Sequence, residues 1–279
     1  MKTRLSYVSL FIFCLGFAMP HTTWAQKNVR ALQLPPFQEK NNLSVIETQT
    51  FIVNGVMFTM VQIEGGTFIM GATSEQGSNV DREEMPTHQV TLSSFSIGQT
   101  EVTQELWQAV MGNNPSEFRS AKHPVEKVSW DDCQEFIMKL NALTGKGFRL
   151  PTEAEWEFAA RGGNRSQGYK FSGSNNIDDV AWYDGNSSGR THDVATKLPN
   201  ELGLYDMSGN VFEWCQDSYD SYRVEPQVNP IVANVLPFRI RRGGCYGCIA
   251  ELGRCRVSYR ERFPPSINYF NDMGFRLAL

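Results

Sequence analysis

Alternation of apolar and polar residues marks where the folded part of the chain begins. Phe51-Ile52-Val53 and Val56 to Ile63 follow the two-residue period of half-buried strands, and Asn54-Gly55 between them is a tight-turn pair, so a β-hairpin is expected. Thr67 to Met70 reads as another strand, ended by Gly71. Ser74 to Pro86 is polar and acidic and is expected as a surface loop, after which Gln89 to Ile97 returns to alternation. Three stretches switch to the helical period. Thr103 to Met111 starts on a Thr cap and stops at Gly112. Ser129 to Leu143 opens with Ser129 and Asp132 in capping-box positions, carries Cys133, Phe136, Ile137 and Leu140 on one apolar stripe, and ends at Gly145. Thr152 to Arg161 is capped by Thr152 with Glu155 at the reciprocal position, and Gly162-Gly163 stop it. Beyond Gly163 regular signals thin out until Phe238 to Arg242 and Phe275 to Leu279, which read as closing strands. A few short helices on a loop-rich body of low strand content predict an α+β fold.

Composition fits one such body. The chain has 279 residues, 41% hydrophobic and 20% charged, enough to bury a core. Residues 1–25 have the plan of a secretory signal: Lys2 and Arg4, then an apolar run to Met19, then small residues before Gln26. Residues 26–50 are polar, contain Pro35-Pro36 and read as a linker, which leaves 51–279 as the folded domain. Removing Lys2 and Arg4 from a formal charge of −4 leaves about −6, and no Lys/Arg cluster offsets it, so nucleic acid is not an expected partner. No later apolar run reaches membrane-spanning length, so the mature form is expected in the periplasm or secreted, with no membrane contact. That compartment permits disulfides. Five cysteines remain after the leader, Cys133, Cys215, Cys245, Cys248 and Cys255, and an odd number leaves at least one unpaired within the chain. Cys133, on the apolar stripe, is expected in the core.

Several motifs share one order. They are Phe68 to Gly71, Glu101-Val102-Thr103, Pro124 to Asp132, Arg149-Leu150-Pro151-Thr152-Glu153-Ala154-Glu155-Trp156-Glu157 through Gly163, Gly203 to Trp214, Arg242-Gly243-Gly244, and Gly274-Phe275-Arg276. Together they resemble the formylglycine-generating enzyme, or sulfatase-modifying factor, family over roughly residues 55–279. The resemblance implies a compact, loop-rich, C-type lectin-like fold. It also implies an oxygen-dependent oxidoreductase that converts a cysteine of an unfolded sulfatase polypeptide to formylglycine, with copper(I) held by two cysteines. Soft thiolates suit that ion.

The cysteine pattern departs from the family's. Cys248 falls at the first expected position, but Gly253 stands five residues on and the next cysteine is Cys255. Cys245 occupies a position that is serine in the family, and Phe212 one that is commonly tryptophan. Three readings stay open: Cys248 and Cys255 as a copper pair across a two-residue insertion, Cys245 and Cys248 as a Cys-x-x-Cys redox-disulfide or soft-metal pair, or Cys255 as a core or disulfide cysteine in a site without oxidase activity. The resemblance further implies a calcium ion wrapped by Asp206 and Glu213 through carboxylate oxygens and by Gly209 and Val211 through backbone carbonyls. A second family calcium loop would fall near Asn186 to Asp193, which is short here. His88, His123 and His192 are isolated in sequence, and Glu153, Glu155 and Glu157 are expected on the solvated face of a capped helix. Two functions follow. One is an exported oxidoreductase of the sulfatase-maturation type. The other is a non-catalytic, lectin-like binding or structural module that presents its C-terminal segment, with Tyr259, Arg260, Arg262, Phe263, Asn268 and Tyr269 as contact residues, to a protein or glycan ligand.

Overall fold

Among the described residues, ten short strands and four helices arrange three small sheets around two apolar cores. The computed structural model describes residues 46–233 and 237–279, so residues 1–25 and most of the expected linker lie outside the described residues. Strands β1 (Thr48–Val53) and β2 (Val56–Ile63) form the expected hairpin, with Val53 opposite Val56 and Asn54-Gly55 both at positive φ. Strand β3 (Gly66–Met70) follows. The alternation over 89–97 is split: β4 (His88–Leu92) pairs with β3, whereas β5 (Phe95–Gly98) joins the other edge of β2. β1, β2 and β5 make one antiparallel sheet.

The helices form where capping chemistry places them. Helix α1 (Gln104–Met111) is capped by Thr103 and ends at Gly112 in the left-handed conformation. Helix α2 (Trp130–Thr144) carries the Ser129/Asp132 capping box and turns its Cys133, Phe136, Ile137 and Leu140 stripe into the first core. Helix α3 (Glu153–Ala160) carries the Thr152/Glu155 box, and a single turn, α4 (Ile177–Val180), follows in the loop region. Strand β6 (Phe212–Ser218) is buried on both faces and therefore shows no alternation. It leads by way of β7 (Gln227–Val228), which runs parallel beside β4, to β8 (Arg239–Arg242). With β9 (Arg260–Phe263) and β10 (Met273–Gly274), β6 and β8 form a sheet ordered β10-β6-β8-β9.

Four expectations change. The expected closing strand over 275–279 is instead a stitched segment: Leu279 exchanges backbone hydrogen bonds with Ser96, and Ala278 does so with Arg149. The acidic stretch 74–86 is not wholly a surface loop, since Gln76 and Glu84 are buried. The α3 glutamates are not solvated: Glu153, Glu155 and Glu157 are all buried, because each meets an arginine supplied by another segment or a neighbouring turn. Of the expected contact residues, Tyr259 and Arg260 point inward, whereas Tyr269 is 66% exposed.

Those arginines are the framework of the C-terminal part. Arg242, fully buried, pairs with Glu157 and donates to the carbonyls of Ser258 and Tyr259. Arg256 meets Glu84 through two hydrogen bonds of 2.6 Å, and Arg260 meets Glu153 through two of 2.7 Å. Arg276 meets Glu213 through two of 2.6 Å and donates to the carbonyls of Gly98 and Tyr205. Burying a guanidinium is tolerable when a carboxylate faces it, and the forked geometry matches one; the Nε groups of Arg242 and Arg256 nevertheless stay without a hydrogen-bond partner. Among the described residues no helix is long and apolar enough to cross a membrane.

Candidate functional site

Two chemically distinct clusters lie in and beside the C-terminal segment. The first contains sulfur. After β8, Gly243 and Gly244 both take positive φ and the chain enters a tight turn in which the Cys248 N–H donates to the Cys245 carbonyl at 3.0 Å. The Cys245 N–H in turn donates to Cys248 Sγ at 3.1 Å, and the two sulfurs stand 2.9 Å apart. A single 3-10 turn over Ala250–Leu252 and a left-handed Gly253 then fold the chain back and bring Cys255 beside Cys248. The sequence separation of seven is thereby closed in space. Gly244 is required here, because a Cβ would lie 2.8 Å from Cys255 Sγ.

The three sulfurs differ electrostatically. Hydrogen bonds from the Cys245 thiol and then from the Cys255 thiol hold Cys248 well below the ordinary thiol range, against the opposing effect of burial. Cys245 and Cys255 move the other way, first because each donates to Cys248 and then because each is buried. All three are 2–4% exposed, under an exposed turn at Gly247 and Ile249. The other described cysteines, Cys133 and Cys215, are each fully buried, and burial raises both thiols. Cys133 sits in the core as expected.

The second cluster contains oxygen. Gly209, in the turn before β6, approaches Trp182 so closely that a Cβ would lie 2.3 Å from the Trp182 carbonyl oxygen. This turn brings Asp206, Gly209, Val211 and Glu213 into one short segment. Asp206 is buried in the left-handed region; its Oδ2 accepts from the Ala195 N–H at 2.7 Å, whereas its Oδ1 is buried without a partner. Glu213 is engaged from two sides, by Arg276 and by the Trp156 indole at 2.7 Å. The Val211 N–H donates to Glu101, whose other oxygen accepts from the Asn210 amide at 2.7 Å. Arg276 thus pairs directly with Glu213 and attracts the two other buried carboxylates, Glu101 and Asp206, through space. Burial first, then repulsion from Asp206 and Glu213, raises Glu101 far above the usual carboxylate range; Asp206 is pushed up to about 6, mainly by burial. Among the described residues no three or more His, Cys, Asp or Glu side chains are arranged to hold a metal ion, so a cation here would rest on at most two side chains together with main-chain oxygens.

Glu101 and Asp217 are the residues that sequence reasoning missed. Glu101 was visible only as part of a motif, with no local sign that it faces Asp206. Asp217 accepts from the Glu153 and Val232 backbone N–H groups and is pushed up to about 7 by burial and then by Glu153; it lines a cavity of about 430 Å³ with His88, Tyr222 and Arg260. The histidines do not converge: His88 packs edge-on to Tyr222, His123 bonds Thr191, and His192 stacks on Trp182 at 3.7 Å.

The architecture is that of a C-type lectin-like domain, few helices and several small sheets with long connections tied by buried ion pairs, and its C-terminal segment carries a thiol cluster. The chain belongs to the sulfatase-modifying factor family: the sulfatase-modifying factor enzyme 1-like domain matches residues 52–279. It is 34% identical to the chaperone protein LppX of Paenibacillus barcinonensis, over 78% of this chain and 88% of that protein. It is 30% identical to the formylglycine-generating enzyme of Streptomyces coelicolor, again over 78% of this chain and 88% of the relative. It also spans 38% of the length of a serine/threonine-protein kinase, pkn1, of Chlamydia pneumoniae, at 32% identity over 80% of this chain. Among solved structures, Treponema denticola variable protein 1 superimposes with a TM-score of 0.75 at 34% identity, covering 83% of this chain and 98% of that one.

Proposed function

We propose that this chain is an exported oxidoreductase of the formylglycine-generating type, acting on a cysteine-bearing segment of an unfolded sulfatase polypeptide. The observation that carries this reading is the placement of Cys255 beside Cys248 despite the longer spacing, with Cys248 held as thiolate. The donor set fits copper(I): Cys248 and Cys255 would hold it, and two soft sulfurs favour that ion over hard cations. Copper, when bound, supplies the oxygen-dependent oxidation. The protein's own contribution is to keep Cys248 deprotonated and to shield the sulfurs from water beneath the 246–252 turn, which must part for a substrate thiol to reach them. Export rests on the signal-like plan of residues 1–25.

Calcium is a separate part of the reading. The unpartnered Asp206 Oδ1 suits a hard cation, and three carboxylates around one guanidinium leave negative charge to be met. Glu213 fits less well, because Arg276 and Trp156 already engage both of its oxygens.

The test uses the purified protein loaded with Cu(I) and a Cys-Thr-Pro-Ser-Arg peptide in air. Loss of the peptide thiol with appearance of an aldehyde is expected; an unchanged peptide mass would sink the oxidoreductase reading. A second reading, a lectin-like binding module for a protein or glycan ligand, is favoured by the aromatic ridge of Tyr269 and Phe270, whose rings lie 4.5 Å apart and continue into Phe263. It predicts an unchanged peptide together with a ligand whose binding is lost in Tyr269→Ala.

A further inference from the structure

The 245–248 turn holds more than the proposed copper pair requires. Its two sulfurs are 2.9 Å apart with two residues between them, so the loop to be closed is among the shortest the chain offers. A bonded pair stands about 2.05 Å apart, a distance that a small side-chain rotation here would reach. The turn is fixed from outside: the Tyr246 N–H donates to the Asn210 carbonyl at 2.8 Å, the Tyr246 hydroxyl donates to Asn271 at 2.7 Å, the Ser187 hydroxyl donates to the Tyr246 carbonyl at 2.8 Å, and the Phe118 ring packs edge-on against Tyr246. Gly247 between the cysteines is exposed, and a Cβ built there would meet nothing within 4 Å, so the turn that covers the two buried sulfurs is itself bordered by solvent. Cys133 and Cys215, by contrast, are fully buried.

We propose that Cys245 and Cys248 form a reversible dithiol–disulfide switch that controls whether Cys248 is available to Cys255. The oxidant is a disulfide compound, R–S–S–R. Cys248 Sγ attacks one of its sulfurs, the R–S–S–R bond breaks, and one RS⁻ leaves with the bonding pair. Cys245 Sγ, giving up its proton, then attacks Cys248 Sγ of the mixed disulfide and expels the second RS⁻. The two cysteines lose two electrons, Cys245 gives up its one proton, and R–S–S–R becomes one RSH and one RS⁻, which takes a proton from solvent. A dithiol reverses both steps. Cys248 is the shared atom, and this consequence rests on the copper reading: a sulfur bonded to Cys245 cannot serve with Cys255 as a thiolate pair. The disulfide itself does not depend on that reading.

The test equilibrates the full chain in glutathione buffers from fully reduced to fully oxidised, blocks free thiols by alkylation, and maps tryptic peptides by mass. Cys245 and Cys248 fall in one peptide, residues 243–254, and Cys255 in the next, so the pairings are distinguishable. Reduced protein is expected to alkylate all five described cysteines. Oxidised protein is expected to return peptide 243–254 unalkylated and lighter by two hydrogens, with Cys255 still alkylated. A peptide 243–254 bridged to Cys255, or alkylated on both cysteines in the most oxidising buffer, would overturn the proposal. Cys245→Ser, checked for native circular dichroism, should lose the loop while leaving Cys248 and Cys255 alkylatable; a loop-like loss of both remaining thiols would also count against it. Cu(I) uptake against a competing chelator is read on the same samples. Uptake by the reduced form alone supports both readings, whereas no uptake by either form defeats the copper reading and leaves the switch standing on the peptide map.

Discussion

Arg276→Met removes the one cation from the cluster of Glu101, Asp206 and Glu213. The methionine fills most of the vacated volume, so the effect is electrostatic more than a matter of packing. Glu213, fully buried, would keep the Trp156 indole as its only remaining donor, and the Gly98 and Tyr205 carbonyls would each lose a partner. Removing one member of a buried ion pair costs about 3–5 kcal/mol. Set against a domain stability of about 5–15 kcal/mol, that is a large fraction. The sign with pH follows from the direction of the shifts. Asp206 already stands at about 6 and Glu101 far above its usual range with Arg276 present, and Arg276 lowers both. Without it the folded state holds its carboxyl protons to still higher pH. A raised carboxylate contributes stability that is fully present below the unfolded value, about 4, and is lost as pH rises through the folded value. The loss caused by Arg276→Met is therefore expected to be larger at about pH 8 than at about pH 5.5. Urea unfolding followed by tryptophan fluorescence at the two pH values measures it. A loss below about 1 kcal/mol, or one equal at both pH values, would refute the view that Arg276 neutralises this cluster.

Two further predictions use the same logic elsewhere. Glu126 accepts the Glu117 and Phe118 N–H groups through one oxygen, while its other oxygen is buried without a partner, and burial pushes it up to about 7. Glu126→Gln should stabilise the protein by about 1–2 kcal/mol at about pH 8, a figure reduced for partial solvent screening, and have little effect near pH 5, where the wild-type carboxyl is protonated; a thermal melt showing the opposite order would contradict the assignment. Gly244→Ala places a methyl group 2.8 Å from Cys255 Sγ and 2.9 Å from the Arg254 carbonyl, at a φ of 75°. It should cost at least about 1–2 kcal/mol from the left-handed backbone alone and raise the alkylation rate of Cys255 several-fold, so unchanged thiol reactivity would show that the cluster tolerates displacement.

Local chemistry was legible in the sequence, and long-range pairing was not. The three main helices lie within a residue of their expected ends, because Thr103, Ser129 and Thr152 cap by hydrogen bonds to their own third residue and carry that signal in four consecutive letters. The β1–β2 hairpin was equally plain from Asn54-Gly55. Strand β6 was missed because it is buried on both faces and its period of two disappears. The α3 glutamates are expected in solvent because a carboxylate on a helix is usually solvated; Glu157 and Glu153 instead meet Arg242 and Arg260, 85 and 107 residues away, which no local pattern reports, whereas the partner of Glu155, Arg149, is close in sequence. The cysteine cluster was half visible. Spacing named Cys245, Cys248 and Cys255 as candidates, but only the turn at Ala250–Leu252 brings Cys255 back so that the other two cysteines flank Cys248.

The buried arginine–glutamate pairs bear on how relatives of this chain can be sorted. Arg242, Glu157, Glu213 and Arg276 belong to the motifs that make the chain recognisable, and each of them is spent on holding the scaffold together. Likeness in those motifs therefore measures shared ancestry of the framework and carries little information about reactivity. Two homologues could keep every such pair and still differ in whether they oxidise anything, because none of these four residues lies in the sulfur-bearing stretch from Cys245 to Cys255. Grouping relatives by the number and spacing of cysteines within that window would separate chemistries that whole-domain identity merges.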